Sequence, residues 1–282
     1  MATILNGKML SEKIKSRLTD EVAKLKTNGI VPCLAVILVG DDPASTVYVN
    51  KKREMCEQIG IKSELIKQSA DVAQDELIKI IEKLNNRDDV SGVLCQLPLP
   101  KHIDAKIICE TILPKKDVDC FNPINVGKLV LGDDGFKPCT PAGIVDILDE
   151  YGVEICGANC VIVGRSDIVG KPVSMLALHR SATVTICHSK TKNLAEICKT
   201  ADVLIAAVGV PNFIKSDMVK PGAVVVDVGI NRTESGLVGD VDFESVEKIC
   251  SAITPVPGGV GPMTIVKLME NTILAAKKLQ GN

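Results

Sequence analysis

The sequence has little aromatic surface, since aromatic residues make up 2% of it and tryptophan is absent. Platforms that stack nucleic-acid bases depend on such rings. Charge is balanced as well: 33 Lys and Arg stand against 35 Asp and Glu, for a net charge of −2. No stretch clusters basic residues on one side, so we expect neither a nucleic-acid-binding surface nor a nucleic-acid partner.

Histidines are scarce and metal-binding cysteine patterns are missing. The only histidines are His102, His179 and His188, and no Cys-x-x-Cys occurs, the closest cysteine pair being Cys156 and Cys160. We therefore predict no metal site. The eleven cysteines are an odd number, and we interpret them as reduced, small apolar core residues of a cytoplasmic protein.

Long apolar runs are also lacking. The longest, such as residues 203–210, have the length of a strand and are too short to span a bilayer. Residues 1–13 hold no apolar run followed by a small-residue cleavage site, so no signal peptide is expected. We expect no membrane partner.

Short apolar runs alternate with helical patterns along most of the chain, which is typical of βαβ units and a parallel sheet. The predicted strands are 33–39, 62–67, 90–96, 160–163, 183–187, 203–207 and 223–228. The predicted helices are 45–59, 74–85, one opening at Thr140-Pro141, 171–179, 194–200 and 263–278. Residues 101–137, rich in Asp, Asn, Pro and Gly, are predicted to be an irregular connection or a binding loop.

This pattern predicts an α/β protein of two domains. An N-terminal α/β domain is expected over residues 1–145, and a Rossmann-type parallel sheet over residues 146–261. The loop from Pro255 to Pro262 is rich in Gly and Pro, as interdomain connections often are. The last helix, within residues 262–282, is therefore predicted to return to the first domain.

A glycine-containing turn follows the predicted strand 160–163. Gly164-Arg165-Ser166 leads through Gly170 into a helix, and glycines there allow a phosphate to approach the helix N-terminus. The turn departs from G-x-G-x-x-G because Ser166 takes the middle position, and alone it would equally suit a structural turn. The surrounding βαβαβ pattern favours a dinucleotide site.

The preference between NADP and NAD depends on the end of the next strand. NAD enzymes place Asp or Glu there to bind the ribose hydroxyls, whereas this chain has His188-Ser189. Together with Arg165, these residues suit a 2′-phosphate, so NADP is the predicted cofactor. Later strands end near Gly209 and Ile230, where we expect the nicotinamide half to lie.

The first domain offers weaker signals. Tyr48 and Lys52 are four residues apart in a predicted helix and so share a face. Gln96 closes a buried strand, and Asp119 lies in the irregular segment. By spacing alone a solvated lysine, a loop-facing amide and a turn aspartate explain these residues at least as well.

Six segments, in this order and over nearly the whole chain, resemble the methylenetetrahydrofolate dehydrogenase/cyclohydrolase family. They are Tyr48-Val49-Asn50-Lys51-Lys52, Gln96-Leu97-Pro98-Leu99-Pro100, Lys116-Asp117-Val118-Asp119, Pro138-Cys139-Thr140-Pro141, Gly164-Arg165-Ser166 through Gly170-Lys171-Pro172, and Pro255-Val256-Pro257-Gly258-Gly259-Val260-Gly261-Pro262-Met263-Thr264. The second and the last are the most specific of the six.

The resemblance implies oxidation of 5,10-methylenetetrahydrofolate with NADP and hydrolysis of the methenyl product to 10-formyltetrahydrofolate. It also implies a homodimer that serves one-carbon metabolism and purine biosynthesis. The family's proton-transfer centre corresponds to Lys52, with Tyr48 and Gln96 beside it. The other implied residues are Asp119, Leu97, Pro257, Gly258 and Gly259 for the folate, and Gly164, Arg165, Ser166, Ser189 and Ile230 for the cofactor.

One position departs from the family, which usually has glycine where this chain has Cys120. If that position requires a positive φ, a cysteine there is strained.

Three other functions are compatible with parts of the pattern. They are a single-activity dehydrogenase on the same folate, a dehydrogenase for shikimate-like or amino-acid substrates, and a catalytically silent nucleotide-binding regulator. Arg165 and the Tyr48, Lys52 and Gln96 set count against the first, and the Asp-Val-Asp and Pro-Gly-Gly-Val-Gly strings against the second. A silent regulator would have no need of Lys52.

Overall fold

The computed structural model describes residues 1–234 and 236–280. The chain divides into two compact units. The Rossmann unit consists of Met1–Glu12 and Thr140–Thr264, and the N-terminal unit consists of Lys13–Cys139 with the chain from Ile265 onward. Each unit contains a parallel sheet with its own core.

The elements alternate between strands and helices for most of the chain. The helices are α1 Gly7–Thr27, α2 Pro43–Ile59, α3 Gln74–Asn85, α4 Ala105–Thr111, α5 Pro123–Leu131, α6 Cys139–Glu150, α7 Gly170–His179, α8 Leu194–Cys198, α9 Phe243–Val246 and α10 Val260–Gln280. The strands are β1 Thr3–Ile4, β2 Cys33–Val39, β3 Lys62–Gln68, β4 Gly92–Cys95, β5 Asn159–Val163, β6 Thr183–Cys187, β7 Val203–Ala206, β8 Val224–Asp227, β9 Asn231–Thr233, β10 Gly236–Val238 and β11 Ala252–Ile253.

The N-terminal unit has a three-stranded parallel sheet in the order β3-β2-β4. All seven residues of the central strand β2 are buried, which explains its continuous apolar sequence. The chain leaves β2 for β3 on one side and later adds β4 on the other. The order therefore reverses beside β2, and the carboxyl ends of β2 and β4 flank this reversal, where α/β proteins bind ligands.

The Rossmann unit has a six-stranded parallel sheet in the order β1-β11-β8-β7-β5-β6. Here the order reverses between β5 and β7, which are paired neighbours. The turn that begins at Gly164 follows β5 directly, so the predicted dinucleotide loop lies at the switch point of this sheet. A two-stranded antiparallel hairpin, β9–β10, lies outside the sheet.

The predicted fold class is confirmed: the protein is α/β, and every predicted strand and helix forms within three residues of its expected ends. Residues 101–137, however, are not irregular, because they contain α4 and α5. Polar residues there act as helix caps: Asp104 accepts a hydrogen bond from the Lys106 amide (2.8 Å), and Asn122 accepts one from the Ile124 amide (2.9 Å). Helix α1 was not predicted either.

The last helix returns to the N-terminal unit, as predicted. From Ile265 onward α10 belongs to that unit. There Asn271 donates to the carbonyl oxygens of Val118 (2.8 Å) and Lys137 (2.9 Å), and Met269 contacts Cys56. Residues 1–12 are placed differently from the expected range 1–145, because β1 pairs with β11 in the Rossmann sheet.

All eleven cysteines are free thiols, and nine are buried. This agrees with their interpretation as small apolar core residues. Among the described helices, none combines the length and apolar character needed to cross a membrane.

Candidate active site and dinucleotide edge

Lys52 is a buried cation in the N-terminal unit. Helix α2 is capped at its N-terminus by Asp42, whose carboxylate accepts the Ser45 amide (2.7 Å), and at its C-terminus by Gly60 in the left-handed conformation. Its buried stripe consists of Ser45, Val49, Lys52, Cys56 and Ile59. The same helical spacing that buries Val49, Cys56 and Ile59 also buries Lys52, which is only 7% exposed.

Gln96 is the partner of that lysine. Gln96 follows β4, and its backbone amide donates to the carbonyl of Ile37 in β2 (2.9 Å), which fixes the residue at the strand end. The Lys52 ammonium donates to Gln96 Oε1 (3.0 Å), and Gln96 Nε2 donates to the carbonyl of Leu97 (2.7 Å). The side chain of Gln96 is thus oriented with its oxygen toward Lys52. Tyr48, one turn before Lys52, is half-buried.

Asp119 adds a carboxylate to the same unit. It is half-buried, and its desolvation raises its pKa, while the charge of Lys52 and a hydrogen bond from Cys139 act against that rise. Cys139 Sγ lies 3.6 Å from Asp119 Oδ1. Sequence reasoning did not select Cys139 as a site residue, although the Pro-Cys-Thr-Pro string contains it. Lys52, Gln96 and Asp119 are therefore brought together in one unit.

Asp117, close to Asp119 in sequence, is a structural residue. It accepts hydrogen bonds from the amides of Phe121 (3.0 Å) and Asn122 (2.9 Å) and from the side chain of Asn125 (2.8 Å). These bonds close the turn before α5 and hold the segment that carries Asp119. Asn271 on α10 supports the same segment through the Val118 carbonyl.

Cys120 has φ +63°, in the left-handed region, so the expected strain is present. The side chain is fully buried, and its thiol donates to the Phe136 carbonyl (3.2 Å). A residue with a Cβ costs about 1–2 kcal/mol in this conformation, which glycine avoids.

We expect Cys120→Gly to be more stable than Cys120→Ala by about 1 kcal/mol, because both lose the thiol and only glycine removes the strain. Urea unfolding of the two variants measures the difference. Equal stability, or a more stable alanine variant, would show that the loop relaxes and stores no strain at this position.

Two glycines shape the turn after β5. A Cβ on Gly164 (φ +136°) would lie 2.2 Å from the Ala207 carbonyl oxygen, and one on Gly170 would lie 2.3 Å from the Gly164 carbonyl oxygen. Ser166 Oγ accepts the amides of Val169 (3.2 Å) and Gly170 (3.3 Å), so the serine that interrupts G-x-G-x-x-G caps α7. This close-packed turn at a helix N-terminus fits a dinucleotide phosphate.

The side chains expected at a 2′-phosphate lie at the same sheet edge. Val163 and Cys187 pair across β5 and β6, so the turn at Arg165 and the turn at His188 follow neighbouring strand ends. Arg165 and Ser189 are exposed, and His188 is half-buried, with its Nδ1 accepting the Lys190 amide (3.2 Å). These two turns place a guanidinium and a hydroxyl at this edge of the sheet. They place no carboxylate at the end of β6, where NAD enzymes carry one.

Asp227, at the end of β8, is a buried carboxylate that sequence reasoning missed. It accepts the amides of Gly229 (3.0 Å), Asp240 (2.8 Å) and Val241 (3.0 Å). Burial raises its pKa to about 6, these hydrogen bonds act against the rise, and the neighbouring Asp240 adds to it. A Cβ on Gly239 would lie 1.7 Å from Asp227 Oδ2, so glycine is required there.

A pKa of about 6 for Asp227, above its ordinary 3.8, means that the native state holds this proton more tightly than the unfolded chain. The stabilisation of the native state that comes from this proton is fully present below pH 4 and is lost as the pH rises through 6. Between pH 5 and 7.5 we expect a loss of about 1 kcal/mol that Asp227→Asn does not show. Urea unfolding at several pH values measures it. The exposed Asp217→Asn is the control, and identical pH slopes for wild type and Asp227→Asn would contradict the expectation.

The remaining expected residues belong to the Rossmann unit. Gly209 (φ +70°) and Ile230 are exposed, in the loops that follow β7 and β8. Pro257 is exposed, Gly258 half-buried and Gly259 buried. The Gly258 carbonyl accepts the amide of Lys8 in α1 (2.9 Å), which anchors that loop.

A Rossmann sheet with a tight glycine turn, joined to a second α/β unit that buries a lysine–amide pair, defines a nicotinamide-nucleotide-dependent dehydrogenase with a separate catalytic unit. The family model for the catalytic domain of tetrahydrofolate dehydrogenase/cyclohydrolase matches residues 5–119, and that for the family's NAD(P)-binding domain matches residues 138–280. The chain belongs to the tetrahydrofolate dehydrogenase/cyclohydrolase family.

Individual relatives agree with this assignment. The bifunctional protein FolD of Acetivibrio thermocellus is 58% identical over 98% of this chain and 97% of its own length. The crystal structure of the bifunctional FolD of Campylobacter jejuni superposes with a TM-score of 0.97 at 53% identity, covering 99% of both chains. The Trypanosoma brucei enzyme, solved with NADP and an inhibitor, gives 0.94 at 37% identity over 98% of both chains. Membership of this family excludes a shikimate-type dehydrogenase.

Proposed function

We infer that the chain oxidises 5,10-methylenetetrahydrofolate to the methenyl cation with NADP and then hydrolyses that cation to 10-formyltetrahydrofolate. The buried pair of Lys52 and Gln96 supports this function best, since hydrolysis needs a group that moves protons and the pair supplies one with a fixed orientation. NADP supplies the hydride acceptor for the oxidation. The Gly164 turn, Arg165, Ser166, His188, Ser189, Gly209 and Ile230 would hold it.

Lys52 is the proposed proton-transfer residue of the hydrolysis. In the proposed hydrolysis Lys52 acts in its amine form, the form that can accept a proton. This amine takes a proton from water as the water oxygen bonds to the carbon between N5 and N10. It then returns a proton to N5 as the C–N5 bond breaks, and the new hydroxyl loses its proton to leave the N10-formyl group.

The neighbouring residues orient this centre and bind the substrate. Gln96 keeps its oxygen on Lys52 because its amide nitrogen is held by the Leu97 carbonyl. Asp119 would accept hydrogen bonds from the N–H groups of the pterin ring, because a carboxylate is a hydrogen-bond acceptor. Tyr48, Leu97 and the loop Pro257-Gly258-Gly259 are the other proposed folate contacts.

We also propose that the protein acts in the cytoplasm as a homodimer and supplies 10-formyltetrahydrofolate for purine biosynthesis. These proposals follow from family membership and from the abundance of reduced cysteines. Gel filtration with light scattering tests the dimer.

An absorbance assay of the purified protein tests the two activities separately. Methylenetetrahydrofolate with NADP or NAD reports the oxidation, and methenyltetrahydrofolate alone reports the hydrolysis. We expect reduction of NADP and loss of the methenyl compound faster than in buffer. Oxidation without enzymatic hydrolysis would leave a single-activity dehydrogenase, and the absence of both would contradict the proposal.

A further inference from the structure

Asp240 is a fully buried carboxylate that the reaction described above does not use. It follows the β9–β10 hairpin and is 0% exposed. Its Oδ2 accepts the amides of Val208 (2.6 Å) and Gly209 (2.9 Å), and its Oδ1 accepts the amide of Val210 (3.0 Å) and the side-chain amide of Asn231 (2.9 Å). Four donors therefore converge on one carboxylate.

Three of these donors come from the loop that follows β7, and the fourth is Asn231, the first residue of β9, which follows the neighbouring parallel strand β8. Three consecutive amides, from residues 208 to 210, form an anion-binding concavity of the kind that binds phosphate in other proteins, and here the protein's own carboxylate occupies it. The amides of this loop point at Asp240, and Gly209 is exposed after the end of β7. A Cβ added to Gly209 would have no other atom within 4 Å.

The position of Asp240 is itself fixed. Its amide donates to Asp227 Oδ1 (2.8 Å), so one carboxylate holds the residue that carries the other. A Cβ on Gly229 would lie 2.2 Å from Asp240 Oδ1, so any residue larger than glycine would collide with the carboxylate at this position. A buried carboxyl group is costly unless it is hydrogen-bonded, and this one is bonded both to the loop after β7 and to Asn231 after β8.

We propose that Asp240 is a positioning residue for the nicotinamide dinucleotide: it fixes the loop at residues 208–210 and the segment 229–231 that leads into β9, on which the nicotinamide half rests. The inference depends on the proposed cofactor contacts of Gly209 and Ile230. Because Asp240 is fully buried, it would act on the cofactor only through the backbone amides and Asn231.

Calorimetric titration of NADP into full-length Asp240→Asn tests the proposal. The variant keeps the shape of the side chain but turns an amide nitrogen toward amide donors. If the loops then occupy the binding arrangement a tenth of the time, the Kd for NADP rises about tenfold. The dehydrogenase KM for NADP should rise in parallel, while hydrolysis of methenyltetrahydrofolate, measured without nucleotide, keeps its kcat and KM. The exposed Glu244→Gln is the matched control.

A folded Asp240→Asn protein with an unchanged Kd for NADP would overturn the proposal, as would equal losses in both activities, which indicate a general structural role. Should that variant fail to fold by circular dichroism, Asn231→Ala decides, because it removes one of the four donors and leaves the carboxylate. It should raise the Kd about threefold with the same split between activities, and no change would overturn the inference. Wild-type protein that binds no NADP would instead contradict the proposed function.

Discussion

Replacing Lys52 by methionine is expected to lower the hydrolysis of methenyltetrahydrofolate by at least about a hundredfold, the usual contribution of a positioned general acid–base group. Methionine keeps the unbranched chain within the buried stripe of α2 but can neither accept a proton from water nor return one to N5. The hydride transfer depends on the placement of its reactants rather than on an acid or base, so the dehydrogenase rate should fall by less than about tenfold.

The same substitution has a second electrostatic consequence. Desolvation raises the pKa of Asp119, and the positive charge of Lys52 acts in the opposite direction and lowers it. Without it the pKa of Asp119 rises further, and the folate KM of the variant should increase more at low pH than at high pH. The hydrolysis rate and the folate KM between pH 6 and 8.5 measure both effects.

Lys51→Met is the matched control, because Lys51 precedes Lys52 on the same helix and is exposed. It should retain both activities. Hydrolysis in Lys52→Met at the rate of the wild type would remove Lys52 from the mechanism, and an equal loss in both lysine variants would indicate damage to α2 instead.

The second large effect is expected at Arg165. Arg165→Ala should raise the KM for NADP by about 10- to 100-fold, because a charge-assisted hydrogen bond to a phosphate contributes about 1.5–3 kcal/mol. The KM for NAD should stay within about twofold of the wild-type value, because NAD has no 2′-phosphate and therefore no such bond to lose. Steady-state dehydrogenase assays with both cofactors give the ratio.

Arg165→Lys refines this test, because it keeps the charge and loses the planar, two-pronged geometry of the guanidinium, so an intermediate KM for NADP is expected. Lys199→Ala is the control, because Lys199 is an exposed cation directly after α8 in the same unit. If Arg165→Ala weakens NADP and NAD equally, the guanidinium does not bind the 2′-phosphate and cofactor preference must come from elsewhere at the edge.

Much of the fold was readable because its signals are local. Strand β2 is seven apolar residues and is buried at every one of them, and α3 and β6 begin and end at the expected residues. The polar segment at 101–137 misled, because Asp104 and Asn122 suit loops as well as helix caps, and the choice depends on the residues that follow. Strand β1 has two residues and exists only because β11 pairs with it.

The candidate site divides in the same way. Spacing alone does not distinguish a solvated lysine and a loop amide from site residues at Lys52 and Gln96, which are 44 residues apart in the chain. The pairing of β2 with β4, together with the packing of α2 on this sheet, brings them to a 3.0 Å hydrogen bond. Asp227 and Asp240 carried no signal in the sequence, because all the partners of the Asp227 carboxylate and three of the four of the Asp240 carboxylate are backbone amides, which every residue except proline has. Cys139 and Asn271 escaped notice for the related reason that their contacts are distant in sequence.

The sequence by itself determined the class of fold, the alternation of its main strands and helices, the family and the residue types at the expected sites, since these depend on local periodicity and on short motifs. Tertiary structure decided which of those residues meet, which carboxylates are buried, and that Cys120 adopts a left-handed conformation beside Asp119. Distances, desolvation and backbone strain are properties of groups far apart in the chain, and they are defined only when the chain has folded.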